Sequence, residues 1–423
     1  MAQLTDDCFA FDGPLMPVQA VEQLIQERIS TVTGTEHVEL ASARGRVIAK
    51  DVIAPVNLPH FDNSAVDGYA VRHSDLDPSG DTTLKVSGRM MAGQKKIPQL
   101  NSREAIRIFT GAPMPEGADT VFMQEDVQED GQSVLFPKGL KRGANRRLSG
   151  EDIAAGSVAM PAGRILDAQN ISLAAALGLP QLEVRRRIRV ALFSTGDEIV
   201  EPGAQLNPSS VYDANRALLR QLLEQAGCIV SDLGILRDDM QALQAGLRKA
   251  SEDNDVILTS GGVSTGDADH VKDAVESIGS LVFWRIAIKP GRPVAMGVVP
   301  HANGNKAAFV GLPGNPVAAF VTFARIVRPL LFRLAGATPK SLQYLSVFST
   351  FDYKKKSGRR EYVRTALRPR PDGEYDAVKH PQDGAGVITS LTETDGLVEL
   401  PEDVTNIVAG ERIRFISYAS LTS

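Results

Sequence analysis

The chain has 423 residues, 43% of them hydrophobic and 23% charged, with a formal net charge of −5. That length exceeds what one hydrophobic core serves well, so roughly two to four folding units are expected. The negative charge excludes a general nucleic-acid binder, the two cysteines (Cys8 and Cys228) exclude a disulfide framework or cysteine-rich zinc module, and no window is apolar for long enough to span a membrane.

Residues 1–11 carry Asp6 and Asp7 but no basic segment or apolar core, so no secretory signal is expected and the cytoplasm is the default compartment. Residues 18–29 place Val18, Val21, Leu24, Ile25 and Ile29 at helical spacing behind Pro17, which predicts an amphipathic helix. From 54 to 152 short β-type runs, such as 83–86 and 105–109, alternate with Gly, Pro, Asn and Asp. A helical spacing resumes at 171–177 and stops at Gly178 and Pro180, so the β-rich stretch reads as an insertion.

Between about 187 and 336 strands and helices alternate. Strands at 190–193, 229–236 and 256–258 are followed by helices at 214–225, 240–250 and 268–278, which predicts a doubly wound parallel sheet. The runs 293–299 and 307–312 flank Asn303 and Gly304, a hairpin signal that makes the sheet mixed. Beyond 338, runs at 361–366, 387–390 and 412–416 predict a last domain of β-barrel size. The expected organisation is therefore α/β and multi-domain: an elongated part from 1–53 plus 153–187, an inserted β-rich domain at 54–152, the α/β domain at 188–337 and a C-terminal β-barrel domain at 338–423.

Ligands of open α/β sheets bind beyond the carboxyl ends of the strands. The loops there are Ser194-Thr195-Gly196-Asp197-Glu198, Arg237-Asp238-Asp239, the run from Ser260 through Gly261, Gly262, Ser264, Thr265 and Gly266 to Asp269, then Lys289-Pro290-Gly291-Arg292 and Pro313-Gly314-Asn315-Pro316. Glycines with hydroxyls ahead of a helix suit close approach to an anion; the alternative is a tight turn capped by Asp267 or Asp269. Glu198, Asp238 and Asp269 gathered at one edge would need a cation, and carboxylate oxygens suit Mg²⁺; Asp239 reads better as a helix cap. Lys289 and Arg292 could answer charge on an oxyanion. The six histidines lack metal-ligand spacing, and the nucleophile elbow, Walker A and dinucleotide fingerprints are absent.

Gly261-Gly262-Val263-Ser264 with Gly266 and Asp269, preceded by Thr195-Gly196-Asp197-Glu198 and followed by Pro313-Gly314-Asn315-Pro316, resembles the molybdopterin-binding fold of the MoeA family, which is homologous to the gephyrin E domain. The resemblance extends through residues 62–70, Thr110-Gly111-Ala112-Pro113, Gly150-Glu151-Asp152-Ile153, residues 358–364 and Asp395-Gly396-Leu397, nearly the whole chain. It implies a homodimeric transferase that inserts molybdate into adenylylated molybdopterin with Mg²⁺ and releases AMP. It also implies supply by a molybdopterin adenylyltransferase and delivery to molybdoenzymes or chaperones. Carried over, it places Asp67, Thr110, Asp152, Glu198 and Lys289 in catalysis, and Glu198, Asp238 and Asp269 on the metal. Substrate contacts fall to Ser194, Thr195, Gly196, Asp197, Gly261, Gly262, Ser264, Arg285, Pro313, Gly314, Pro316 and Arg364. Arg285 stands where the family commonly has Lys, and Gly384-Ala385-Gly386 where Gly-Ser-His is usual. Competing readings are a molybdopterin adenylyltransferase and a gephyrin-E-like scaffold.

Overall fold

The computed structural model describes residues 4–5, 15–237, 239–261, 270–301, 304–338 and 340–422. They form two compact units: Met1–Lys50 with Ala162–Asp167 and Glu183–Ser423, and Asp51–Pro161 with Ala168–Leu182.

In the first unit a six-stranded sheet runs in the order Ile229–Leu236, Arg189–Thr195, Val256–Ser260, Lys306–Leu312, Pro293–Pro300, Ser280–Arg285. The first four are parallel and the last two antiparallel to their neighbours. Both faces are covered, so the central strands read as continuous apolar runs rather than alternations. Period-two geometry then sorts their side chains. Val190 and Leu192 pack with Leu219, Leu223, Phe323 and the Val18–Arg28 helix, whereas Ala191 and Phe193 pack with Leu243, Leu247, Val271 and Val275.

Helix Ala214–Gln225 is capped by Asp213, whose side chain accepts from the Arg216 N–H, and Met240–Asp253 by Asp239 through the Ala242 N–H. The second is the cap expected from sequence. Strand Ser280–Arg285 was not expected; its apolar run sits behind a helix end with no alternation to mark it. The hairpin joining Pro293–Pro300 to Lys306–Leu312 forms as expected, with Gly304 at φ +86°; Asn303 lies outside the described residues.

The C-terminal strands Leu345–Ser349, Arg360–Pro369, Tyr375–Lys379, Gly396–Leu400 and Arg412–Ser417 close into a five-stranded barrel, because Arg360–Pro369 pairs with both Tyr375–Lys379 and Gly396–Leu400. Closure removes free sheet edges. The run 387–390, expected as a strand, instead leads into a single helical turn, Thr389–Thr392. The Ser390 hydroxyl, buried, donates to the Val387 carbonyl at 2.6 Å and accepts from Arg364 at 3.1 Å, and these local bonds favour a turn over extended pairing.

The second unit holds a six-stranded sheet in the order Thr120–Met123, Gly68–Val71, Glu104–Ile108, Thr82–Met90, Ser133–Phe136, Gln128–Asp130. Gly68 sits so close to the neighbouring strand that an added Cβ would lie 1.8 Å from the Phe122 carbonyl oxygen, so no larger residue fits there. No described helix is long and apolar enough to cross a membrane.

Candidate functional site

The carboxyl ends of the parallel strands open on a cleft of about 880 Å³, lined by Ser194, Thr195, Gly196, Glu198, Tyr212, Asn215, Ser260, Gly261, Pro313, Gly314, Asn315, Pro316, Gly386 and Ile388 among others. Three separate loops named from sequence therefore share one wall. Asn215 holds two of them together: its amide donates to the Ser260 hydroxyl at 2.8 Å and to the Gly314 carbonyl at 2.7 Å. The Gly261 N–H donates to the Leu312 carbonyl at 3.1 Å.

Gly261 has φ +88°, and a Cβ there would stand 3.0 Å from the Thr195 carbonyl oxygen. Gly261→Ala should cost about 1–3 kcal/mol, read as a lowered unfolding midpoint in urea; an unchanged midpoint would show that the turn has other conformations open to it.

The Ser194 and Thr195 hydroxyls are buried and have no hydrogen-bond partner among the described residues. Such groups are costly unless something meets them, and here both belong to residues on the cleft wall. An anion accepting from them would satisfy both. Glu198 is exposed on the same wall and has no ion pair among the described residues, and Asp197 beside it is exposed. Asp213, also on the wall, is committed elsewhere: Arg216 reaches it at 2.9 Å, Asp232 at 2.6 Å, and Glu201 as well.

Asp238, Gly262, Ser264 and Asp269 lie outside the described residues. Among those described, no group of three His, Cys, Asp or Glu is placed to hold a metal ion. Glu198 alone of the expected metal ligands can therefore be located. Its carboxylate, unpaired among the described residues, is of the oxygen-donor kind that could hold a hard divalent cation.

A smaller cavity of about 230 Å³ is lined by Lys289, Pro290, Tyr353, Glu361, Arg364, Asp383 and Ala385 among others. Lys289 is half exposed, with its Nζ 3.3 Å from Glu361. Glu361 is buried and also accepts from the Tyr353 hydroxyl at 2.8 Å and the Arg359 Nε at 2.7 Å. Burial pushes its carboxyl up, but the Tyr353 hydroxyl, Lys289 and Arg359 outweigh that and hold it below its ordinary value. Arg364 points inward to the Ser390 hydroxyl and the Gln382 and Gly384 carbonyls at 3.1–3.2 Å. It thereby shapes the segment whose Ala385 carbonyl accepts from the Val317 N–H at 3.0 Å. Arg285 is exposed at its strand end, opposite the cleft residue Pro293.

In the second unit three sequence-distant motifs meet. Asn63–Ser64 pairs with Arg146–Arg147, the Ser64 N–H donates to the Ala112 carbonyl, and the Ser149 N–H donates to the Asp62 carboxylate at 2.8 Å. The Asp67 carboxylate accepts from both the N–H and the hydroxyl of Thr110 at 2.7 Å, and these bonds hold its pKa below the usual Asp range. Asp152 is exposed, its N–H donating to the Leu58 carbonyl.

Sequence reasoning did not single out Tyr212, Asn215 or Ile388. Tyr212 (44% exposed) and Ile388 (42%) give the cleft an apolar wall. The usable signal for the first two was their place in Val211-Tyr212-Asp213-Ala214-Asn215, the approach to a helix beginning at the ligand edge.

Known families match along most of the chain: the MoeA N-terminal region (domain I and II) at residues 16–178, the probable molybdopterin binding domain at 191–333 and the MoeA C-terminal region (domain IV) at 347–418. The molybdopterin molybdenumtransferase of Haemophilus influenzae is 39% identical over 390 residues, 92% of this chain and 95% of that protein. Its namesake from Nostoc sp. is 36% identical over 392 residues, 91% and 89%. Two structures of the molybdopterin biosynthesis MoeA protein from Pyrococcus horikoshii superimpose with TM-scores of 0.74 (32% identity, 95% of this chain and 99% of that one) and 0.80 (27%, 96% and 100%). With its cleft at the strand ends of a molybdopterin-binding domain and with relatives alike over nine-tenths of its length, the chain belongs to the MoeA family of molybdopterin molybdenumtransferases.

Proposed function

We propose that this chain transfers molybdenum from molybdate to adenylylated molybdopterin, releasing AMP. The observation that carries the reading is the cleft in which the Ser194 and Thr195 hydroxyls, Asn215 and the Gly261 turn stand beside Glu198, with neither the hydroxyls nor the carboxylate partnered among the described residues. The hydroxyls donate to a substrate phosphate, and the faces of Tyr212 and Ile388 suit the flat pterin ring. Glu198, with Asp238 and Asp269, is proposed to hold Mg²⁺, which when bound supplies positive charge to the phosphoanhydride. Lys289, which pairs with Glu361, is proposed to neutralise the leaving AMP. Asp67, Thr110 and Asp152 are proposed to serve the same reaction, and the working form to be a cytoplasmic homodimer. A molybdopterin adenylyltransferase would feed it, and molybdoenzymes or their chaperones would receive its product.

The relatives named for molybdenum transfer match both outside and within the α/β domain, which disfavours adenylylation as the reaction. Purified protein given adenylylated molybdopterin and Mg²⁺ should release AMP when molybdate is added. Pyrophosphate release from ATP and molybdopterin without molybdate would overturn the assignment.

A further inference from the structure

The helix that begins at the cleft with Pro316 continues as a π-helical turn, Phe323–Val327, and then as Arg328–Leu334. The Arg328 N–H reaches back five residues to the Phe323 carbonyl, and Pro329 has no N–H to offer the preceding turn. Wide turns of this kind are frequent at functional sites. This one sets Arg325 and Arg328, three residues apart, on a shared side. Both line a cavity of about 520 Å³ together with Glu22, Phe332, Ser341 and Tyr344. At 1.5 Å per residue, Arg328 stands about 18 Å along the helix from the cleft.

The two arginines are 4% and 8% exposed. Arg325 is paired with Glu22 at 2.7 Å. Arg328 is not: its Nε has no hydrogen-bond partner among the described residues, and its guanidinium lies 4.5 Å from the centre of the Phe332 ring. Burial, followed by the adjacent Arg325, pushes its guanidinium down to about 10. The chain pairs a buried guanidinium elsewhere, since Arg360 meets Glu399 and Glu402. Other cations near this cavity are also engaged: Lys340 lies 3.7 Å from Asp167, and the Arg333 Nε donates to the Ile29 carbonyl at 2.6 Å. Arg328 remains a buried fork of donors on a cavity wall with no acceptor among the described residues, and an isolated buried charge is costly until an anion meets it.

We propose that this cavity is a second ligand site, distinct from the cleft, in which Arg328 binds the oxyanion group, phosphate or carboxylate, of a small molecule. Arg325 adds positive potential, and the Ser341 and Tyr344 hydroxyls stand on the same wall.

The test compares wild type with Arg328→Met in thermal unfolding at fixed ionic strength, with chloride replaced by inorganic phosphate or by acetate. Phosphate salts out both proteins alike, and any binding in the cleft is common to both, so the difference between them is the readout. In phosphate or in acetate the wild type should gain on the order of 2–4 °C more than the variant. In chloride the variant should melt at or above the wild type, because an unmet buried charge has been removed; a merely structural arginine would give the reverse. Equal increments in both proteins would overturn the proposal, as would a variant less stable than wild type in chloride. If Arg328→Met yields no folded protein, Arg328→Lys takes its place, and an increment as large as wild type's would overturn it.

Discussion

Glu198→Gln is expected to lower molybdate-dependent AMP release about 10²–10³-fold while leaving the unfolding midpoint unchanged within about 0.5 kcal/mol. The two halves of that expectation come from different observations. The side chain is exposed and unpaired among the described residues, so the fold does not depend on it. Its main chain is fixed, because the Glu198 carbonyl accepts from the Val211 N–H at 2.8 Å in the short pairing of Ile199–Val200 with Val211–Tyr212. Glutamine keeps the shape and removes only the charge, the property a cation or a developing positive centre would use. Single-turnover release of AMP at saturating Mg²⁺, beside a urea melt, measures both. Turnover within threefold of the parent would remove Glu198 from the reacting machinery.

The second large effect is on stability. Glu361→Gln should cost about 2–4 kcal/mol, since it withdraws charge from a buried carboxylate that accepts from Tyr353 and Arg359 and pairs with Lys289. Half-exposure of Lys289 keeps the figure below that of a fully buried pair. The effect should depend on pH. The Glu361 pKa is held below its ordinary value of 4.5. Its contribution is therefore complete above about pH 4.5 and lost as pH falls through the lower folded value. Melting curves of parent and variant should stand furthest apart near pH 7 and converge under acid. A gap that stays constant down to pH 3 would mean that the lost stability comes from packing rather than from charge.

What the sequence disclosed follows from how local each signal is. The α/β domain was legible because its strands are buried on both faces and its helices carry side-chain caps or glycine stops, all of which act within a few residues. Strand Ser280–Arg285 escaped because an edge strand that joins antiparallel to Pro293–Pro300, with no two-residue hairpin turn between them, has no local signature of its own. The run 387–390 misled because Val and Ile score as strand formers, whereas its conformation is decided by Arg364, more than twenty residues away, through Ser390. The loops on the cleft wall were found by a rule of topology, strand ends in a parallel sheet. Tyr212 and Asn215 enter it through a strand pairing and amide bonds that only three dimensions reveal. Arg328 was invisible for the same reason: in sequence it is one more arginine in a helix, and its distinction is the absence of an acceptor among the described residues.

The contact between Ala385 and Val317 bears on the departure at Gly384-Ala385-Gly386. Carbonyl and amide make that joint, and Arg364 steadies it through further carbonyls, so the fastening does not consult the side chains it carries. A seam of this kind leaves its residues free to drift. A different side chain at 385 or 386 would face the smaller cavity or the cleft without changing how the barrel is moored, which makes this short stretch a place where specificity can be retuned at little structural cost.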